Sequence, residues 1–452
     1  MKMKTMTEGA PWKHILQFSL PVLAGSLLQQ LYNTVDTIIV GKYAGQPSLA
    51  AVGTTMSFVF FFLAVAIGFS SGNGVVVAQF YGAEDEKGVR RCASSGILFL
   101  MILGAVAALL SNIFARPAYT YLVRVPDSIL DLTLIYFRVY AIGLIFQFGY
   151  NIISGILRAV GDSAASMYFL LISSVLNIVL DILFVAGFHW GVAGAAAATD
   201  IAQAASFAAA YFYMWKKYPV FRFKLREYKW NTEMIEKTVQ VGFPISLQLM
   251  IVSVGFTFIQ RAVNSFGEVM TASFTVGQRM EMYLNLPCSA FQTTLATYTG
   301  QNIGAGRIDR VKLGVRQTFF MSLIMTLTIS VLMWTFSGQI ITLFGLSDQA
   351  AVYCHAHLQA VAIVNVIFSL YIPVFGVFQG SNHSSVPTIV ATLVLTTRVV
   401  VTYLFKDSAF LGYTVLWWNG LFAFTLGLII TWSYYFSGRW QKNALISQPA
   451  TE

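Results

Sequence analysis

The sequence predicts an all-α membrane protein of about twelve transmembrane helices in two six-helix lobes. Three observations carry that prediction. The 452 residues are 57% hydrophobic and only 10% charged, with a mean hydropathy of +0.68; a soluble domain carries roughly 25% charged residues. Twelve apolar runs meet the roughly 20-residue length of a spanning helix. The chain also repeats itself once, end to end.

The runs lie at about residues 15–40, 50–78, 93–115, 131–156, 165–187, 191–214, 239–263, 271–298, 314–336, 352–378, 386–405 and 411–436. The basic start (Lys2, Lys4, Lys13) leads straight into the first full-length run, so no cleaved signal peptide is expected. Basic residues alternate sides along the chain. One side takes Lys2, Lys4, Lys13, Lys87, Arg90, Arg91, Arg158, the Lys216–Lys229 cluster, Lys237, Arg307, Arg310, Lys312, Arg316, Arg439 and Lys442. The other takes Lys42, Arg116, Arg124, Arg138, Arg261 and Lys406, while Arg279 and Arg398 fall inside spans. The bias of 20 against 6 puts both termini in the cytoplasm. It accounts for the net charge of +9 without a nucleic-acid partner, and makes the basic stretch between spans six and seven a topology-fixing linker that touches anionic headgroups.

The repeat pairs SLPVLAGSL around Pro21 with GFPISLQLM around Pro244. It pairs AQFYGA (Ala78–Ala83) with GQNIGA (Gly300–Ala305), and SGILRAVGDS around Gly155 with FGVFQGSNHS around Gly376. The offsets are 223, 222 and 221. Six spans per half is an even number, so both halves enter the membrane in the same direction, a parallel repeat of the kind transporters use. The expected organisation is an N-terminal lobe at 1–215, a basic cytoplasmic linker at 216–237, a C-terminal lobe at 238–437 and a cytoplasmic tail at 438–452.

A carboxylate inside a span is costly and marks a functional site. The first span, LPVLAGSLLQQLYNTVDTIIVG (Leu20–Gly41), holds Asp36 on a stripe with Gln29, Tyr32 and Asn33 at i, i+3, i+4 and i+7. Span five holds Ser173, Asn177 and Asp181 four residues apart on one face. Both acids lie about 8 Å inside the outer end of their helices at 1.5 Å per residue. Thr199 and Asp200 of span six reach a similar depth, and span four offers Gln147, Asn151 and Ser154. The serines and Gln147 read as interhelical hydrogen-bond glue. Two acids close together in low dielectric do not both stay ionised, so such a pair takes up a proton. With Asn177 and Thr199 it equally offers the oxygens a hard cation such as Na⁺ uses.

The second half differs. Where the repeat places Asp36 it has Ile259 beside Gln260, and where it places Asp181 it has Thr402. Its one in-span carboxylate, Glu281, shares a face with Gln278 and Asn285. Glu281 has two readings: it binds a cationic substrate, or it pairs with Arg279 or Arg398. His355 and His357 read as a loop or interfacial pair rather than a metal site, for no acid completes a ligand set. The cysteines Cys92, Cys288 and Cys354 are scattered without metal or redox spacing. No HExxH, P-loop, CxxC or nucleophile elbow occurs, so the sequence supports neither an enzyme nor an ATP-driven pump.

Four segments together resemble the multidrug and toxic compound extrusion (MATE) transporters, over nearly the whole chain. They are the Leu20–Gly41 stretch, ILRAVGDS (Ile156–Ser163), NIVLD with the following GVAGAAAAT (Gly191–Thr199), and GQNIGAG (Gly300–Gly306). The resemblance implies twelve helices in two lobes forming a V, and a functional monomer in the plasma membrane, the cytoplasmic membrane of a bacterium. It implies a cation antiporter that exchanges H⁺ or Na⁺ for organic cations, with no cofactor beyond the coupling ion. One branch's ion site maps by motif onto Asp36, Asn177, Asp181 and Thr199. Gln29, Tyr32, Asn33, Asn151, Gln278 and Glu281 are the substrate-cavity candidates. The helix-ten acid of another branch is missing from VNVIFSLYIPVFGVFQG. A flippase for a lipid-linked or polyprenyl-linked glycan is the alternative on the same fold. That function favours basic residues around a pyrophosphate, whereas the charges placed here are acidic apart from Arg279 and Arg398.

Overall fold

In a computed structural model describing residues 5–409 and 411–442, the described chain is helical throughout. Lys2, Lys4 and most of the 438–452 tail lie outside the described residues. Twelve long helices follow one another: α1 Pro11–Ile39, α2 Gly45–Gly82, α3 Glu86–Pro117, α4 Asp127–Ala159, α5 Ser163–Asp181, α6 Gly191–Lys217, α7 Thr232–Asn264, α8 Glu268–Gly304, α9 Ile308–Thr335, α10 Asp348–Gly380, α11 Ser385–Phe405 and α12 Val415–Phe436. A short helix, Ser337–Leu343, sits between α9 and α10. Among the described residues, nine stretches are long and apolar enough to cross a membrane, and one of them, Pro11–Gly82, contains both α1 and α2. The helices outside that set, α6 and α8, are the ones carrying Thr199 and Asp200, and Gln278 and Glu281.

The chain divides into two compact units. Leu20–Ser246 build the first; Met6–Ser19 and the chain from Leu247 onward build the second. The divisions fall inside α1 and α7, beside the repeat-related Pro21 and Pro244.

In the first unit α4 is the central helix, packed by α2, α3 and α6. Gly155 of α4 lets the backbone of α2 approach so closely that a Cβ there would lie 2.5 Å from Ser70 Oγ. Small residues permit such close helix packing in a membrane. In the second unit α10 is central, packed by α8, α9 and α12. Gly376 of α10 does the same work, with a would-be Cβ 2.1 Å from the Gln292 carbonyl of α8. The repeat seen at Gly155 and Gly376 is therefore a repeat of a close contact between the second and fourth helices of each half.

The other repeated motifs fix the basic ends of the helices. Gly161 adopts φ +90°, a conformation open to glycine, and turns the chain out of α4. Asp162 then caps α5, its Oδ1 accepting from the Ala165 amide at 3.2 Å. Its Oδ2 accepts from Tyr213 at 2.9 Å, Lys217 at 2.8 Å and Tyr218 at 2.8 Å, tying α5 to the end of α6. In the second unit, Asn302 of GQNIGAG accepts from Arg310 Nε at 3.1 Å, and the Arg310 guanidinium donates to the carbonyls of Met6, Glu8 and Gly9. Gln301 accepts from the Met6 amide at 2.8 Å. Arg90, near the start of α3, holds the carbonyls of Val220 and Arg222 in the same manner and pairs with Glu227 at 2.9 Å. Each arginine thus clamps the strap of chain that leads into a half's first helix.

Burial would raise the Asp162 carboxyl, yet the bonds from Lys217, Tyr218 and Tyr213 hold it below the usual carboxylate range. A depressed folded-state value means the staple's stability is present above the unfolded value of about 3.9. It is lost as pH falls through the lower folded-state value. Asp162→Asn is expected to cost about 1–3 kcal/mol, toward the low end because Lys217 is half exposed. It should also flatten the loss of melting temperature of the detergent-solubilised protein below pH 4, where the wild type gives way.

Candidate ion site in the first unit

The apolar framework of the site is a buried cluster at the end of α1 remote from Pro11. Ile39 and Val40 pack with Val52, Tyr136, Tyr140, Leu144, Val185, Val192, Ala195 and Ala196. This packing brings the ends of α1 and α5 against the start of α6. Both acid-bearing helices finish in a π-helical turn, Val40–Ala44 and Ile182–Gly187, directly after the residues of interest. Such wide turns often sit at functional positions.

On this framework the Asp36 and Asp181 carboxyl groups come close enough to interact with each other. Asp181 is fully buried and Asn177 is buried, while Asp36 and Thr199 are half-buried. Asn177 Nδ2 donates to Thr199 Oγ1 at 3.4 Å, and that hydroxyl donates to the Ala195 carbonyl at 3.1 Å. The remaining oxygens have no donors: Asp36 Oδ1, Asn177 Oδ1 and both oxygens of Asp181 are buried and unpartnered. Two ionised carboxylates have no proton to share. The set is complete once a proton or a hard cation enters, and every donor in it is oxygen. The residues therefore fit either ion.

Tyr32 lies within electrostatic reach of both acids, and Tyr136 within reach of Asp36 and Asp200. The Tyr140 hydroxyl pairs with Gln147, whose Nε2 donates to it at 3.0 Å. Asp200 is held apart from the pair. Its carboxylate fits the notch left by Gly143 of α4, where a Cβ would lie 1.8 Å from Asp200 Oδ1. The α1 stripe is not uniform: Tyr32 is half-buried like Asp36, Gln29 is half-buried, and Asn33 is exposed. Asn151 is half-buried and donates to its own helix, to the Gln147 carbonyl at 2.8 Å.

The second unit resolves the choice left open at Glu281. Its carboxylate pairs with Arg398 of α11 at 3.4 Å, whereas Arg279, counted among the in-span residues, is exposed. Gln278 is half-buried. His355 and His357 are not a loop pair. Both lie on α10, and His357 is buried, stacked on Phe274 at 4.9 Å and on Trp417 at 6.3 Å. An aromatic slot and the notch at Gly277 take the ring inside, which HxH spacing does not reveal. His355 instead meets Ser337 at 3.0 Å. Among the described residues no group of His, Cys, Asp and Glu is arranged as a metal centre. Sequence reasoning missed Arg310, Asn302 and Asn419, whose partners lie far along the chain.

The MatE family model matches residues 21–183 and, a second time, residues 244–404. The chain belongs to the MatE family. The two matches begin at Pro21 and Pro244, the residues that anchor the internal repeat. Among curated MatE relatives, the probable multidrug resistance protein YpnP of Bacillus subtilis is 29% identical, over 99% of this chain and 100% of its own. The multidrug export protein MepA of Staphylococcus saprophyticus is 23% identical over 93% and 92%. A crystal structure of a MATE in complex with MaL6 superposes with a TM-score of 0.90 at 25% identity, covering 98% of this chain and 100% of that one. A MOP superfamily transporter from Pyrococcus furiosus, described as having a binding pocket of reverse polarity, gives a TM-score of 0.90 at 24% identity over 98% and 99%. It shares the fold.

Gly143→Ala puts a methyl group where Asp200 Oδ1 now lies. Overpacking of this kind costs about 1–3 kcal/mol. The melting temperature of Gly143→Ala should fall, and Gly143→Ala/Asp200→Ala should recover most of the loss. No recovery in the double variant would mean that the helix contact, rather than the carboxylate, fills the notch.

Proposed function

We propose that this protein is a secondary antiporter that exports organic cations, drugs among them, in exchange for H⁺ or Na⁺. It works as a monomer in the plasma membrane with both termini cytoplasmic. Family membership and the multidrug names of the relatives support the transport class. The observation that carries the coupling assignment is the pairing of Asp36 with Asp181 from different helices, beside the unpartnered oxygens of Asn177 and Asp181.

In this reading Asp36 and Asp181 hold the ion, and Asn177 Oδ1 and Thr199 Oγ1 complete its oxygen shell. A bound cation or proton relieves the repulsion between the two carboxylates and draws α1, α5 and α6 together. An empty site drives them apart. Pro21 removes one backbone hydrogen bond from α1, and Gly25 lies one turn on, so α1 yields there. Bending of α1 narrows the first half's cavity and expels the cation. Exchange follows because the ion binds one shape of the half more tightly than the other. Gln29, Tyr32, Asn33, Asn151 and Gln278 are the substrate-facing candidates; Glu281, paired with Arg398, is left out of that set.

Asp36→Asn is expected to insert and fold but to lose ion-driven efflux of ethidium in proteoliposomes, down to the rate of protein-free vesicles. A pH gradient and a Na⁺ gradient, applied separately to the wild type, identify the ion. Efflux that persists in Asp36→Asn under the gradient that drives the wild type would sink the assignment. A wild type that moves no cationic dye under either gradient points to glycan flipping instead.

A further inference from the structure

The second unit holds a buried polar cluster that the proposed mechanism does not use. Arg398 and Glu281 are each 7% exposed and pair at 3.4 Å. Arg398 Nε donates to Asn419 Oδ1 at 2.8 Å, and Asn419 Nδ2 donates to Thr402 Oγ1 at 3.1 Å. The guanidinium lies over the rings of Phe256, at 5.6 Å, and Phe424, at 5.3 Å. Two acceptors and two aromatic faces make a cage suited to a cation. The void beside it measures about 10 Å³, room for about one water molecule and too little for a hydrated ion.

The repeat shows what this cage corresponds to. Asn177–Asp181, NIVLD, aligns at the offset of 221 with Arg398–Thr402, RVVVT. Arg398 therefore stands where Asn177 stands, and Thr402 where Asp181 stands. Asn419 lies one residue from the position equivalent to Thr199. The bond between fifth and sixth helices recurs as well: Asn177 to Thr199 in the first half, Arg398 to Asn419 in the second. The acid has moved from the half's first helix, where Ile259 replaces Asp36, to its second, where Glu281 stands.

We propose that Arg398 is a tethered cation. Its guanidinium fills, in the second half, the place that the exchangeable ion takes in the first, so the second half binds no coupling ion of its own. This rests on the reading of the Asp36–Asp181 cluster as the ion site. The exchange of an asparagine for an arginine turns a site that loads and empties into one that is permanently loaded. The transporter then has one switching half and one electrostatically fixed half.

The test is the melting temperature of the purified full-length protein in detergent. Arg398→Ala leaves Glu281 buried without its partner and should melt about 10 °C below the wild type. A few millimolar guanidinium chloride should restore part of that loss, while urea of the same concentration, uncharged and of the same shape, should not. Neither should change the wild type. Glu281→Gln/Arg398→Met, which removes both charges, should melt within a few degrees of the wild type with no addition. Arg398→Ala that ignores guanidinium, or a paired variant that melts as low as the single one, would overturn the proposal and make Arg398 a packing element. If Arg398→Ala does not purify, the paired variant decides alone. These readouts are independent of transport: failure of the parent reading appears as ion-driven efflux in Asp36→Asn, failure of this one as a missing guanidinium response.

Discussion

Inside a bilayer, a polar side chain has only other protein groups to bond with. That constraint orders most of this structure. Asn419 uses both ends of its amide, on Arg398 and Thr402. Asp200 is seated in a glycine notch on a neighbouring helix. Against that background the Asp36–Asp181 pair stands apart, because the two groups that face each other are both acceptors when ionised. The Arg398–Asn419–Thr402 cluster is closed by the chain itself; in the proposed reading the acid pair is closed by an ion that arrives from outside.

The two halves share a scaffold and differ in chemistry. The fourth helix is central in each unit, and a glycine at the same repeat position brings it against the second helix. On that common frame the first half carries two acids and the second carries an arginine with one acid. A duplicated scaffold tolerates this because the glycine contact joins the second and fourth helices, while Asn177, Asp181 and Arg398 lie on the fifth. In the proposed reading one half switches while the other keeps the geometry without the switching.

Two of the four segments that carry the family resemblance take no part in this chemistry. Gly161 and Asp162 of ILRAVGDS make a turn and a cap, and Gln301 and Asn302 of GQNIGAG clamp the strap before α1. Both belong to the basic ends of the helices. They set where α1 and α5 begin, and so at what depth Asp36 and Asp181 arrive. The residues of the proposed ion site, by contrast, are spread over three helices, in the other two segments.

The sequence by itself determined the number of helices, the duplication and the four residues of the first-half cluster. Hydropathy sets the span length, repeat offsets survive divergence, and a carboxylate at a given number of residues from a helix end has a fixed depth. It left Glu281 open between a cationic substrate and pairing with Arg279 or Arg398, and read His355 and His357 as a loop or interfacial pair. Those questions turn on which face of α8 and α10 meets a neighbour, and helical spacing gives the faces without saying what covers them. Only the tertiary structure decided that Arg398 reaches Glu281 across helices, that Asp200 sits with Gly143 rather than with the acid pair, and that Arg310 holds a strap some 300 residues away in sequence. Each of these is a contact between distant segments, and its energy comes from the desolvated pairing itself, which no local pattern encodes.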